Sequence, residues 1–260
     1  LADRGSWTYD GSDAVREAST IHKFSLRSDI PDAVYGGSGV VKGKVLNQFA
    51  MDEHDGYFRI ATTTGHVPDP SVHSTISILK DAGGSLNLVG RIDEIAPTED
   101  IRSARFDGDK GFVVTFKKTD PLFVFDLADP ANPKIAGELK IPGYSTYMHL
   151  MDGEHLLSIG YDADDQGSFA WFSGIQLQVF DISDMADPRL TFKEVIGTRG
   201  STSDATTNHL AFNYFPPKDV LAIPMVICEG GSGGSYGDLM TFSGLLVYRV
   251  TTDEGFSLLG

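Results

Sequence analysis

The chain has 260 residues, 41% of them hydrophobic and 22% charged, with a formal net charge of −15. That is apolar enough to bury a core and excludes a disordered chain. The acidic balance excludes nucleic acid as a partner, because phosphates require a basic face, and it disfavours an anionic membrane surface.

With 29 Gly and 12 Pro, turn-formers suit many short strands. Cys228 is the sole cysteine, so no intrachain disulfide forms; in the apolar run 221–228 it reads as a small buried hydrophobe. No run of 18 apolar residues occurs, so no membrane insertion is expected. The start at Leu1 points to a processed or excised piece.

In chain order, residues 6–9 are a candidate strand, and 20–26 alternate as a strand does. Residues 33–45 are extended, with a bend or bulge at Gly36-Gly37. Four blocks follow, each with strands in the same order. The first comprises 45–51, 57–63, 75–80 and 86–92; the second, 101–106, 112–116, 122–127 and 134–141. The third comprises 145–151, 155–161, 174–182 and 189–196, and the fourth, 208–215, 220–227, 242–250 and 255–258.

The third strands register on Ile78, Val124, Val179 and Val247. In the second and third blocks they end in a shared frame, Val124-Phe125-Asp126-Leu127 and Val179-Phe180-Asp181-Ile182, each followed by an Asp-Pro turn. There aspartate caps the turn and proline ends the strand. A four-stranded meander repeated in tandem is the sequence form of a β-propeller, whereas a sandwich does not repeat one strand order.

The expected fold is therefore all-β, a single β-propeller domain over residues 1–260 with four-stranded antiparallel blades. Four complete blades span 45–92, 101–141, 145–196 and 207–260, and a partial N-terminal blade spans 18–45. No inner strand remains to close the ring, so a fragment of a longer propeller is expected.

Residues 43–63 (GKVLNQFAMDEHDGYFRIATT), 111–121 (GFVVTFKKTDP) and 139–147 (LKIPGYSTY) resemble the secreted bacterial proteins with a C-terminal β-propeller domain, distantly similar to WD repeats. The Asp-Pro-x-x-Pro turn within 126–133 is similar to that family's strand-ending turn. The resemblance covers roughly residues 18–250. It implies an exported bacterial protein (secreted, cell-surface or periplasmic) and a longer full propeller, and it carries over no activity.

Three constellations bear on chemistry. In YDADDQG, the carboxylates Asp162, Asp164 and Asp165 are candidate Ca2+ ligands; the spacing departs from the EF-hand pattern, and a solvated acidic loop is the simpler account. Gln48, Arg105, His149 and His209 fall at corresponding places on first strands, which line a propeller's central channel. They are candidates for binding an anion or a transition metal, weighed against polar residues lining a watered channel. His66, Asp69 and His73, in HVPDPSVH, lack the rigid geometry a metal needs and read as an exposed turn. The Gly-rich run GGSGGSYG leads into a strand and reads as a flexible hairpin loop.

The loops before the third strands, 162–173 and 229–241, lengthen and carry Phe169, Trp171, Phe172 and Tyr236, residue types suited to recognition. The reading that follows is a non-catalytic extracellular binding or scaffold propeller with a protein or glycan partner. The alternative is a metal-assisted hydrolase-type enzyme using His149 and His209.

Overall fold

The computed structural model describes residues 2–5, 17–26, 32–116, 120–165 and 170–260, without the side chains of 2–5, 120, 164 and 165. The expected strand at 6–9 lies outside these residues; β1 (Ala2–Gly5) precedes it.

The first sheet holds β1, β2 (Ala18–Leu26), β3 (Ala33–Lys42), β4 (Lys44–Val45), β5 (Met51–His54), β6 (Tyr57–Thr64), β7 (His73–Asp81) and β8 (Gly84–Ile95). Its order is β1-β2-β3-β8-β7-β6-β4, with β5 also pairing β6. The second sheet is β9 (Asp100–Asp107), β10 (Lys110–Phe116), β11 (Asp120–Asp126) and β12 (Lys134–Ile141). The third is β13 (Tyr144–Leu150), β14 (His155–Asp165), β15 (Ala170–Asp181) and β16 (Arg189–Ile196). The fourth is β17 (Asn213–Phe215), β18 (Val220–Glu229), β19 (Leu239–Thr251) and β20 (Gly255–Leu258). Each of these last three is a four-stranded sheet in sequence order, as the repeat requires.

The N-terminal strands differ from the expected separate partial blade. β2 and β3 pair as a hairpin, and β3 continues the first sheet through a parallel pairing, Gly37 with Gly84 and Ser38 with Ser85. Glycine permits this approach: a Cβ on Gly37 would lie 2.5 Å from the Gly84 carbonyl carbon, and one on Gly39 would lie 2.6 Å from the Leu86 oxygen. The bulge falls at Gly36, skipped as the register shifts between Lys23 and Phe24.

Two expected first strands are broken. In each, an asparagine caps a single 3-10 turn: the Asn47 side chain accepts from the Phe49 N–H at 3.0 Å, and Asn208 accepts from the Leu210 N–H at 3.1 Å. Asparagine offers the backbone this local bond in place of a ladder bond. Gln48 and His209 therefore sit on turns, not strands. Around the fourth sheet, β17 pairs only with Val220–Ala222, and Pro224, with no N–H to donate, lies beyond it. There Thr202 bridges Val226, and the Ser203 hydroxyl donates to the Pro224 carbonyl at 2.6 Å.

The chain divides into two compact units, Leu1–Val113 with Phe125–Ile135, and Val114–Val124 with Ala136–Gly260. In the first, Ile60, Ile76, Ile78, Leu79, Phe112 and Phe125 are buried. The core of the second takes alternate residues along its strands: Leu157 and Ile159 on β14; Ile175, Leu177 and Val179 on β15; Leu221, Ile223 and Met225 on β18; Leu246, Tyr248 and Val250 on β19. On β15 the intervening Gln176 and Gln178 are buried as well. Burial, then the charge of Glu194, pushes the Tyr248 phenol up to about 12.

A repeated contact joins neighbouring sheets. The Asp-Pro turn of the second sheet sits on Gly90 of β8, where a Cβ would lie 2.2 Å from the Pro130 oxygen and 2.8 Å from Pro133 Cδ. The corresponding turn of the third sheet sits on Gly137 of β12, with 2.3 Å to the Met185 oxygen and 2.8 Å to Pro188 Cδ. Asx hydrogen bonds shape each turn, from the Ala128 and Ala131 N–H groups to Asp126 and Asp129, and from Ser183 and Ala186 to Asp181 and Asp184. At the third junction the parts are exchanged: β16 carries Phe192, and the fourth sheet meets it with Gly255, whose Cβ would lie 2.5 Å from the Phe192 ring.

Candidate binding site

The site is assembled from three segments of the second unit. β14 and β15 extend further than expected, pairing Ala163 with Phe172 and Asp164 with Trp171, so the lengthened loop is largely a hairpin arm. Adjacent strand residues face opposite ways, which separates Trp171 from Phe172. Phe172 joins Phe116, Tyr144 and Tyr161, with ring centroids 5.3–6.5 Å away, and is half-buried among them. Phe169 lies outside the described residues.

Trp171 meets the segment after β16. There Gly197 and Gly200, with φ of +66° and +108°, bracket Thr198-Arg199. The Arg199 guanidinium carbon lies 5.1 Å from the Trp171 ring and 4.6 Å from the Tyr236 ring. Each such cation–π contact contributes about 0.5–1 kcal/mol at an exposed site.

Tyr236 comes from the Gly-rich run, which is pinned rather than free. The Gly231 N–H donates to Thr198 Oγ1 at 3.0 Å, the Gly237 N–H to the Arg199 carbonyl at 2.7 Å, and the Ser235 N–H to the Ser232 carbonyl at 2.9 Å. Gly234, at φ +89°, lies so close to Trp171 that a Cβ would be 2.2 Å from the indole. Tyr236 is 71% exposed, and Leu239 and Met240 at the root of the same loop are 61% and 63% exposed. Cys228 is half-buried; its carbonyl accepts from the Thr198 N–H and hydroxyl, helping to hold the Arg199 segment in place.

The calcium candidates fare differently. The Asp162 carboxylate accepts from Lys193 Nζ at 2.5 Å and from the Ser173 hydroxyl at 2.8 Å. In this arrangement Asp162 is a member of a part-exposed ion pair, an interaction of modest strength. The side chains of Asp164 and Asp165 lie outside those described.

Three of the first-strand candidates, Arg105, His149 and His209, keep aromatic company. In the first unit the Arg105 guanidinium lies 5.1 Å from the Phe49 ring, one residue after Gln48. In the second unit the His149 ring lies 5.9 Å from Phe212 and 5.6 Å from Tyr214, and its Nδ1 is 3.4 Å from the Tyr147 hydroxyl. His209 packs 6.5 Å from Tyr147. Among the described residues, no three His, Cys, Asp or Glu side chains form a group able to hold a metal ion.

In HVPDPSVH the expected loose turn is ordered: Asp69 accepts from the Ser71 N–H and hydroxyl, and His73 Nδ1 lies 2.7 Å from the Ser71 carbonyl. His73 Nε2 faces Asp93 at 3.6 Å, and Arg91 Nε lies 3.9 Å from the same carboxylate. Asp93 also accepts from Thr75 Oγ1 at 2.7 Å and from Lys42 Nζ at 3.1 Å. Burial raises the Asp93 carboxyl, but the hydrogen bonds from Thr75 and Lys42 outweigh it, so the group lies below its ordinary value. A depressed carboxylate stabilises the fold above its unfolded pKa, and that contribution is lost as pH falls through the folded value. The difference in urea midpoint between the wild type and Asp93→Asn is therefore expected to shrink as pH falls from about 5 to about 3. A constant difference across that window refutes the assignment.

Tandem four-stranded sheets docked turn on glycine define an all-β repeat protein. The model of the family described as Beta propeller domain matches residues 5–260, and the chain belongs to that family. An uncharacterized protein from Archaeoglobus fulgidus is 38% identical over 196 residues, covering 75% of this chain and 28% of the relative. The uncharacterized protein MJ1554 from Methanocaldococcus jannaschii is 43% identical over 154 residues, covering 58% of this chain and 23% of the relative. The chain thus spans about a quarter of the length of these curated relatives. Both are archaeal, where the resemblance had implied a bacterial source. The solved Pyrococcus horikoshii acylaminoacyl peptidase aligns with a TM-score of 0.46 at 15% identity, over 81% of this chain and 31% of that one.

Proposed function

We propose that the chain is a non-catalytic binding module of an exported protein, and that it engages a protein partner through the surface built on Trp171, Arg199 and Tyr236. The observation that carries this reading is the pinned Gly-rich loop, which holds Tyr236 71% exposed over Arg199 beside Leu239 and Met240. Tyr, Trp and Arg are the residue types that anchor protein interfaces, and a loop fixed in advance loses little entropy on binding. The glycines serve the same end: they let the loop close on the indole while keeping its backbone hydrogen bonds.

Panning a displayed random-peptide library tests the proposal. The wild type is expected to enrich a related set of peptides, and Tyr236→Ala to lose most of that binding with its melting temperature unchanged. No enriched set, or equal retention by the variant, removes the proposal.

A further inference from the structure

We infer that Arg199 receives a carboxylate of the partner, end-on, through its two terminal nitrogens; this rests on the binding reading above and adds the chemistry of the bound group. The protein has 36 acidic and 21 basic side chains, so its cations have ample partners. Lys23 pairs with Asp81, Lys42 with Asp93, Lys44 with Glu17, Arg59 with Asp52 and Lys193 with Asp162. Arg199, like Arg105 over Phe49, falls outside this pattern. Among the described residues it is held by two aromatic rings and its own backbone, with no carboxylate and no acceptor for its guanidinium.

A guanidinium presents five N–H donors in one plane and accepts nothing. In Arg199 the Nε donor is buried without a partner, while the residue as a whole is only half-buried. The terminal nitrogens are thus the edge available to a ligand. Two N–H groups side by side match the two oxygens of a carboxylate, and contact with the Trp171 and Tyr236 rings restricts the guanidinium before the ligand arrives.

The charge count selects a monoanion. Among the described residues, Arg199 is the cation placed over the two rings, whereas Glu229 and Asp238 flank the loop. A doubly charged phosphate would meet more repulsion than one guanidinium offsets. The exposed Leu239 and Met240 offer apolar surface to an aliphatic side chain beside that carboxylate.

The test uses Trp171 fluorescence in a Trp7→Phe background, which leaves one tryptophan. The probes are acetyl-Gly-Leu-Leu with a free carboxylate, the same peptide as its C-terminal amide, and acetyl-Gly-Glu-Leu amide, whose carboxylate is on a side chain. Saturable binding is expected from at least one carboxylate peptide, about tenfold tighter than the Leu-Leu amide and weakened about tenfold or more by Arg199→Gln. Arg199→Lys, which keeps the charge but loses the fork, is expected to lie between. Comparison of the two acidic peptides tells whether a chain terminus or a side chain is the source.

If all three peptides bind alike and lose binding in Tyr236→Ala but not in Arg199→Gln, the binding surface stands and the carboxylate inference is overturned. If none binds while the library enriches other sequences, the carboxylate inference again fails alone. If neither peptides nor library bind, both readings fail.

Discussion

Gly137→Val is expected to lower the urea midpoint of the protein sharply, with Gly90→Val close behind, although neither glycine has a positive φ or lies at the candidate site. The cause is steric. A Cβ at Gly137 would lie 2.3 Å from the Met185 carbonyl oxygen, and one at Gly90 would lie 2.2 Å from that of Pro130. Both obstacles are backbone in turns held by Asx hydrogen bonds, and Pro188 Cδ and Pro133 Cδ would each lie a further 2.8 Å from the added Cβ. They cannot swing aside as a side-chain tip would, so the turn must lift off the strand or the sheet must bend. Overpacking of this kind costs about 1–3 kcal/mol, with alanine at the lower end and valine at the upper. Gly153, at a turn where a Cβ meets nothing within 4 Å, is the control and is expected to tolerate alanine. Equal midpoints for Gly137→Val and Gly153→Ala would show that the turns do not bear on the strands.

Asp52→Ala is expected to destabilise the first unit more than Arg59→Met, even though Asp52 is the more exposed partner. Arg59 is 2% exposed. Its Nε and Nη2 donate to the two Asp52 oxygens at 2.7 and 2.5 Å, and its Nη1 donates to the Gly108 carbonyl at 2.5 Å. The guanidinium also lies 5.3 Å from the Phe106 ring. The side chain thus ties the first sheet to the β9–β10 turn of the second.

Removing Asp52 leaves a buried guanidinium with a single acceptor, a loss of about 3–5 kcal/mol where one member of a buried pair is deleted. Arg59→Met removes the charge itself, fills much the same volume, and leaves Asp52, 30% exposed, to water. Replacement of a buried ionic group by a well-packed apolar one is often near neutral, so about 1 kcal/mol is expected, mainly from the Gly108 carbonyl. The double variant should recover part of the Asp52→Ala loss. Chemical denaturation of the four proteins decides it, and the reverse ranking would mean the pair contributes as a surface bridge.

The sheets were legible because their signals are local. Val-Phe-Asp followed by an Asp-Pro turn marks the strand ends of the second and third sheets, and alternation such as Leu221, Ile223 and Met225 marks a half-buried strand of the fourth. The 3-10 turns also carry a local signal, which alternation hides: Asn47-Gln48-Phe49-Ala50 and Asn208-His209-Leu210-Ala211 share one pattern. Read as alternation alone, both segments pass for strands, and only the capping habit of asparagine separates them. The opposite faces of Trp171 and Phe172 also follow from strand period once β15 is known to begin at Ala170. Arg199 had no such signal. It is a lone arginine between glycines in a connecting segment, and its importance comes from Trp171 and Tyr236, each roughly thirty or more residues away along the chain. A site assembled across loops has no period to betray it.

The exchange at Phe192 and Gly255 reaches beyond packing. Two junctions place the glycine on the earlier sheet and the turn on the later one; the third places the bulk on the earlier sheet and the glycine on the later. The last junction is therefore marked apart from the two before it. Were a recombination event to copy the second repeat behind the third, its Asp-Pro turn would arrive against Phe192. Were the fourth repeat moved behind the second, Gly255 would face Gly137 across a gap. Tandem repeats of similar sequence risk docking out of order while they fold. Here the position of a single hydrogen atom in place of a side chain keeps the fourth sheet from taking the place of the second or third.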